Sequence, residues 1–121
     1  MNEIEILLSQ AKAESVAVAV AFHDLQSGKE IFIHADESFH PASTFKVGVM
    51  MEVFHQAAQE RFSLDDELPV VNSFSSIADG SPFSVYAQDD SETTLYDKIG
   101  SSERVREIVR LMIVRSSNLA T

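Results

Sequence analysis

The chain has 121 residues, with 9 basic against 19 acidic side chains for a formal charge of −10, 45% hydrophobic residues and no Cys. That length makes one domain or part of one, able to bury roughly two-thirds of its unfolded surface. The acidity argues against nucleic acid, whose phosphates need clustered Lys and Arg, and the lack of Cys excludes disulfide scaffolds, thiolate zinc sites and cysteine nucleophiles.

The N-terminus, Met1-Asn2-Glu3-Ile4-Glu5, is acidic and has no positive stretch leading into an apolar one. Nowhere does the chain approach the ~20 apolar residues needed to cross a bilayer. As written it predicts a cytoplasmic protein with no membrane span; prior removal of a signal would leave the same picture for a secreted or periplasmic one.

Residues 2–14 predict an amphipathic helix, with Asn2 as cap, Glu5 as its reciprocal partner, and Ile4, Leu7, Leu8 and Ala11 on one face. Residues 16–22, VAVAVAF, predict a strand, 24–29 a Gly-containing turn and 30–35 a second strand, so the pair is an antiparallel hairpin. After a loop, residues 43–59 predict an apolar helix with Val47, Met50, Met51, Phe54, Ala57 and Ala58 at three- and four-residue spacing. Its few charges place it centrally. Residues 72–93, rich in Ser, Asp, Gly and Pro, predict a long irregular loop in which Asp89, Asp90 and Glu92 form a solvated acidic patch. Residues 101–115 predict a last helix with Val105, Ile108, Val109, Met112 and Ile113 on one face, and Arg104, Arg106, Arg110 and Arg115 on the solvated one.

Two short patterns carry chemistry. Ser43-Thr44-Phe45-Lys46 is an S-x-x-K tetrad, in which positions i and i+3 share a helix face and the amine can reach the hydroxyl. At a helix start the unpaired N–H groups favour developing negative charge, and a buried Lys, its pKa lowered by desolvation, can take the hydroxyl proton. Sixteen Ser and four Lys in 121 residues give about half a chance match, and Ser9-Gln10-Ala11-Lys12 is a second one. Ser9 and Lys12 fall mid-helix on a polar side and read as surface. Ser43 follows a Pro and opens the most apolar helix, so its tetrad is the candidate; a plain helix-start Ser with a boundary Lys is the competing reading. The second pattern, Ser116-Ser117-Asn118, lies at the end of the last helix, where an ordinary polar terminus is the alternative. His23, His34, His40 and His55 have no metal-ligand spacing and read as surface or packing residues. Phe62, Phe74 and Phe83 read as core or loop anchors.

The order of these motifs, S-x-x-K on a buried helix start and S-x-N after a second apolar helix, carries a resemblance. With His40-Pro41-Ala42-Ser43-Thr44-Phe45-Lys46, Leu64-Asp65-Asp66-Glu67 and residues 111–121, the chain resembles the N-terminal half of a class A β-lactamase or penicillin-binding-protein type enzyme, whose signature set is S-x-x-K, S-D-N and K-T-G. The resemblance implies an α+β, serine β-lactamase-like fold, an antiparallel sheet flanked by helices plus an all-α lobe. Residues 1–36 would supply a helix and hairpin of the mixed lobe and 42–121 part of the all-α lobe. It implies a serine hydrolase acting on a β-lactam or peptide-like small molecule, with Ser43 acylated, Lys46 activating it directly or through water, Ser116 protonating the leaving nitrogen, and Asn118 binding the substrate amide and positioning Lys46. The Ser43 amide would be one of two oxyanion donors. Neither metal nor organic cofactor is implied.

The chain departs from the pattern at Ser117, where class A enzymes usually have Asp, and its 121 residues hold neither K-T-G nor the later Glu that activates the deacylating water. The resemblance therefore implies a complementary C-terminal half of the same domain, beside which this segment would fold. A D-Ala-D-Ala peptidase or esterase-like relative, a non-catalytic β-lactam or peptidoglycan-binding module, and a small α+β structural domain with accidental motifs remain the competing readings.

Overall fold

The computed structural model describes residues 3–121, so the expected Asn2 cap lies outside them. It is an α+β arrangement of helices and three two-stranded antiparallel sheets. By contact it separates into two compact units, the residues up to His40 and Pro41–Thr121. No helix among the described residues is long and apolar enough to cross a membrane.

The first unit opens with α1, Glu3–Ala13, whose first turn carries Glu3 and Glu5 and whose last carries Lys12, charges that suit the helix dipole. Ser9 and Lys12 lie on its exposed side. Ser15, at φ 58°, closes the helix in a left-handed residue: its N–H donates to Lys12 O at 3.2 Å and the Val16 N–H to Ala11 O at 2.8 Å. This is the Schellman pattern, with Ser where Gly usually stands.

Strand β1, Val20–His23, pairs with β2, Glu30–Ile33, in the register Val20↔Ile33 and Phe22↔Ile31. The hairpin turn is knotted by Asp24, which accepts the Gln26 N–H and the Ser27 hydroxyl, and by Gly28 at φ 70°. The ladder is shorter than the apolar run suggests. His34 takes φ 45° and turns away after Ile33, so residues before Val20 meet no partner strand. Alternation places Val20, Phe22, Ile31 and Ile33 on the face toward Ile4, Leu7 and Leu8 of α1, leaving an apolar groove of about 370 Å³.

In the second unit a 3₁₀ turn, Ala42–Thr44, leads into α2, Phe45–Ala58. The sequence places this helix at the centre, yet Lys46 is its one buried residue, and Phe45, Val47, Met51 and Phe54 stay exposed. Apolar side chains encircle α2, whereas its cover is one-sided: Val49, Met50 and Val53 pack on the core. That core is built around α3, Val105–Val114, with Val105, Val109, Leu111 and Met112 buried beside Val70, Leu95, Leu119 and Ala120.

α3 starts four residues later than expected because Ser102–Arg104 forms strand β6, paired with β3, Glu67–Pro69. Unpaired amides at a helix start need acceptors. Here Leu64 O takes the Arg106 N–H at 2.9 Å and Asp66 O the Val105 N–H at 3.0 Å, so the neighbouring segment does the capping. The stretch expected as an irregular loop also contains a short hairpin, β4, Phe74–Ser75, against β5, Pro82–Phe83, with the Phe74 and Phe83 rings 5.4 Å apart. Asn72 pins its end by accepting the Val85 N–H and donating to Val85 O.

Candidate active site

Four residues read from the two motifs meet in the second unit. Ser43 sits in the 3₁₀ turn before α2, Lys46 in the first turn of α2, and Ser116 and Asn118 in the turn that leaves α3. Ser116 Oγ lies 3.0 Å from Ser43 Oγ, across 73 positions of sequence. Lys46 Nζ donates to Ser116 O at 2.7 Å, Asn118 Oδ1 at 2.9 Å, Ser117 O at 3.2 Å and Ser116 Oγ at 3.3 Å. An ammonium has three protons, so four acceptors at these distances saturate it. The i, i+3 spacing suggested that Lys46 would reach Ser43 directly. The hydrogen-bonded route instead runs from Lys46 to Ser116 Oγ and on to Ser43 Oγ, because the amine is drawn to the carbonyls of the Ser116–Asn118 turn.

Two backbone features make this possible. Ala42, just before Ser43, has φ 45°, and Ser116 has φ 56°. Non-Gly residues in the left-handed region are held there by their surroundings and concentrate at functional sites. The left-handed Ser116 breaks the helix and turns the carbonyls of residues 116 and 117 toward Lys46 Nζ.

Burial sets the electrostatics. Lys46 is 3% exposed, and desolvation lowers its pKa below the ordinary lysine value, opposed by the negative charge of Asp90. The neutral amine is thus closer to reach than in a surface lysine.

The acidic patch expected to be solvated is so only in part: Asp89 is exposed, but Asp90 is half-buried and Glu92 buried. Glu92 accepts the Thr94 N–H at 2.8 Å, the Leu95 N–H at 3.1 Å and the Thr94 hydroxyl. Asp90 accepts the Asn118 N–H at 2.8 Å, the Leu119 N–H at 3.0 Å and the Tyr96 hydroxyl at 3.0 Å. Burial pushes the Asp90 pKa up, but the Asn118, Leu119 and Glu92 amides and the Tyr96 hydroxyl outweigh it and hold the carboxyl below its usual value. Tyr96, half-buried and bonded to that carboxylate, is pushed up to about 12 by desolvation and by the Asp90 charge. Acidic residues in a Ser-rich stretch carry no periodic signal, so the sequence offered no sign that this loop reaches the site.

Among the described residues no group of three or more His, Cys, Asp and Glu is placed to hold a metal. His23 pairs with Glu30, His34 bonds Val18 O and His55 sits beside Glu52.

A buried amine, two serine hydroxyls in sequence and a carboxamide turned to the amine form an arrangement able to move a proton off Ser43. The chain belongs to the Beta-lactamase enzyme family, whose model matches residues 1–121. The protein is thereby placed among β-lactamase-like serine hydrolases. No curated protein matches the chain.

Proposed function

We propose that Ser43 is the nucleophile of a class A type β-lactam hydrolase. In the first step the Ser43 Oγ proton moves to Ser116 Oγ while Ser116 gives its own proton to neutral Lys46, and Ser43 Oγ bonds the lactam carbonyl carbon. The ring C–N bond then breaks. The departing nitrogen takes a proton from Ser116 Oγ, which is refilled from Lys46, leaving an ester on Ser43 and a neutral amine at Lys46. Asn118 donates its amide to the substrate side chain and accepts from Lys46, and the Ser43 N–H is one oxyanion donor. Water then hydrolyses the ester.

The observation that carries this reading is the continuous path Lys46 Nζ–Ser116 Oγ–Ser43 Oγ, at 3.3 and 3.0 Å, ending on a buried lysine. General acid–base groups need this reach before their pKa matters.

The second oxyanion donor, a K-T-G strand and the deacylating residue belong, in this proposal, to a complementary C-terminal half of the same domain, with residues 1–36 joining its sheet and 42–121 completing the all-α lobe. Supporting this, Phe22 is 46% and Phe32 59% exposed on opposite faces of the hairpin, and an isolated hairpin is marginal in water.

Hydrolysis of a chromogenic cephalosporin by the intact gene product tests the function. Turnover abolished by Ser43→Ala is expected. Cleavage of a D-Ala-D-Ala peptide without cephalosporin turnover would replace the lactamase reading with a peptidase, and a lasting adduct without turnover would replace it with a binding module.

A further inference from the structure

Asp90 makes more bonds to the Ser116–Asn118 turn than the turn makes to its own helix. Asn118 is held at three points: its N–H by Asp90 Oδ1 and Oδ2 at 2.9 and 2.8 Å, its Nδ2 by Asp89 O at 3.2 Å, and its Oδ1 by Lys46 Nζ at 2.9 Å. The Leu119 N–H donates to Asp90 at 3.0 Å, and the Ser117 hydroxyl, on a residue with 0% exposure, approaches it at 3.4 Å. The carboxylate is itself anchored. Tyr96 donates to it from the next turn, the Glu92 N–H donates at 3.2 Å, and buried Glu92 ties the loop to the amide of core residue Leu95.

These bonds determine orientation. Asp89 O accepts only from Nδ2, so Asn118 Oδ1 must face Lys46 and not solvent. The anchored Asn118 and Leu119 amides hold the chain just after left-handed Ser116, whose hydroxyl lies 3.0 Å from Ser43 Oγ. Asp90 hydrogen-bonds neither Ser43 nor Ser116 Oγ; it acts through the Asn118 and Leu119 amides and through its charge, which opposes the desolvation of Lys46.

We propose that Asp90 is the positioning residue of this site, a carboxylate from outside the S-x-N motif that sets the rotamer of Asn118 and the placement of Ser116 Oγ between Ser43 and Lys46. Ser117, the motif's middle residue, presents a hydroxyl to that carboxylate where a second carboxylate would face it with like charge. The inference rests on the acyl-enzyme reading of Ser43.

The test is the rate and extent of acylation by a labelled penicillin, followed by intact mass in the complete gene product, for parent, Asp90→Asn and Asp90→Ala. Misplacing a catalytic group by about 1 Å can cost about 100-fold. Asp90→Ala is therefore expected to slow acylation about 100-fold while every molecule still acylates in the end. Asp90→Asn, which keeps an acceptor for the Asn118 N–H, should recover about tenfold of that loss. A residue needed only for stability would lower the fraction of molecules that react and leave the rate of the remainder at the parent value; that outcome overturns the proposal. Hydrogen exchange supplies a second readout, with the Asn118 and Leu119 amides losing protection in Asp90→Ala while the α3 amides keep theirs. Unchanged protection at those two amides also overturns it. A parent protein that forms no adduct defeats the acyl-enzyme reading and the Asp90 role with it, whereas a reactive parent with an equally fast Asp90→Ala defeats the Asp90 role alone.

Discussion

Replacing Ser116 with Ala and, separately, with Gly separates the residue's hydroxyl from its backbone. At φ 56° a side chain costs about 1–2 kcal/mol relative to the right-handed region. Both variants lose the hydroxyl's bonds to Ser43 Oγ and Lys46 Nζ, each worth about 0.5–1.5 kcal/mol net, so that loss cancels between them. Gly escapes the left-handed penalty but frees the unfolded chain, at about 0.5–1 kcal/mol. Ser116→Gly should therefore be more stable than Ser116→Ala by about 0.5–1 kcal/mol on these same terms, read as a higher urea midpoint at equal slope. Both lack the proton relay and should acylate about 10²–10⁴-fold more slowly than the parent. Greater stability of the Ala variant would refute the strain argument. Parent-like acylation by either variant would refute the route through Ser116.

The acylation rate should rise with pH through one ionisation centred below the ordinary lysine value of 10.5, since burial favours the neutral amine against the opposing charge of Asp90, and then level off; a rate still climbing past 10.5 would mean an unperturbed lysine. Ser15→Gly, at the left-handed close of α1 (φ 58°), should stabilise by about 0.5–1 kcal/mol in urea denaturation, because Gly reaches that conformation without a Cβ clash. The 121-residue segment by itself should fail to melt cooperatively as a monomer, as judged by thermal denaturation with light scattering, if its exposed hairpin faces belong against a complementary half. Cooperative monomeric melting would remove that support.

What was legible in the sequence was whatever sits at the end of a regular element. Ser43 and Lys46 share a helix start, and Ser116 and Asn118 follow the last turn of an apolar helix, so spacing and order singled them out. The hairpin was legible from its alternation and its Gly turn, although β1 begins only at Val20 because β2 turns away at His34. Features fixed by contacts distant in sequence were not legible. The start of α3 depends on the carbonyls of Leu64 and Asp66, some 40 residues earlier, and no local cap announces it. The β4–β5 pair is two residues long, too short for a period. Asp90 meets Asn118 across 28 positions, from a stretch whose composition signals only a loop. The apolar character of α2 was legible but its cover was not: within these 121 residues α3 and its neighbours cover one side, leaving Phe45, Val47, Met51 and Phe54 exposed.

The claim on which the rest depends is that the hydroxyl of Ser43, poised by Ser116 and buried Lys46, attacks an acyl donor. Its most direct test is peptide mapping of the intact gene product after brief exposure to a labelled penicillin, beside Ser43→Ala. One label per molecule is expected, on the peptide carrying Ser43 and lost in the variant, with an adduct lifetime that measures deacylation. A label on any other serine, or an equal yield from Ser43→Ala, would contradict it.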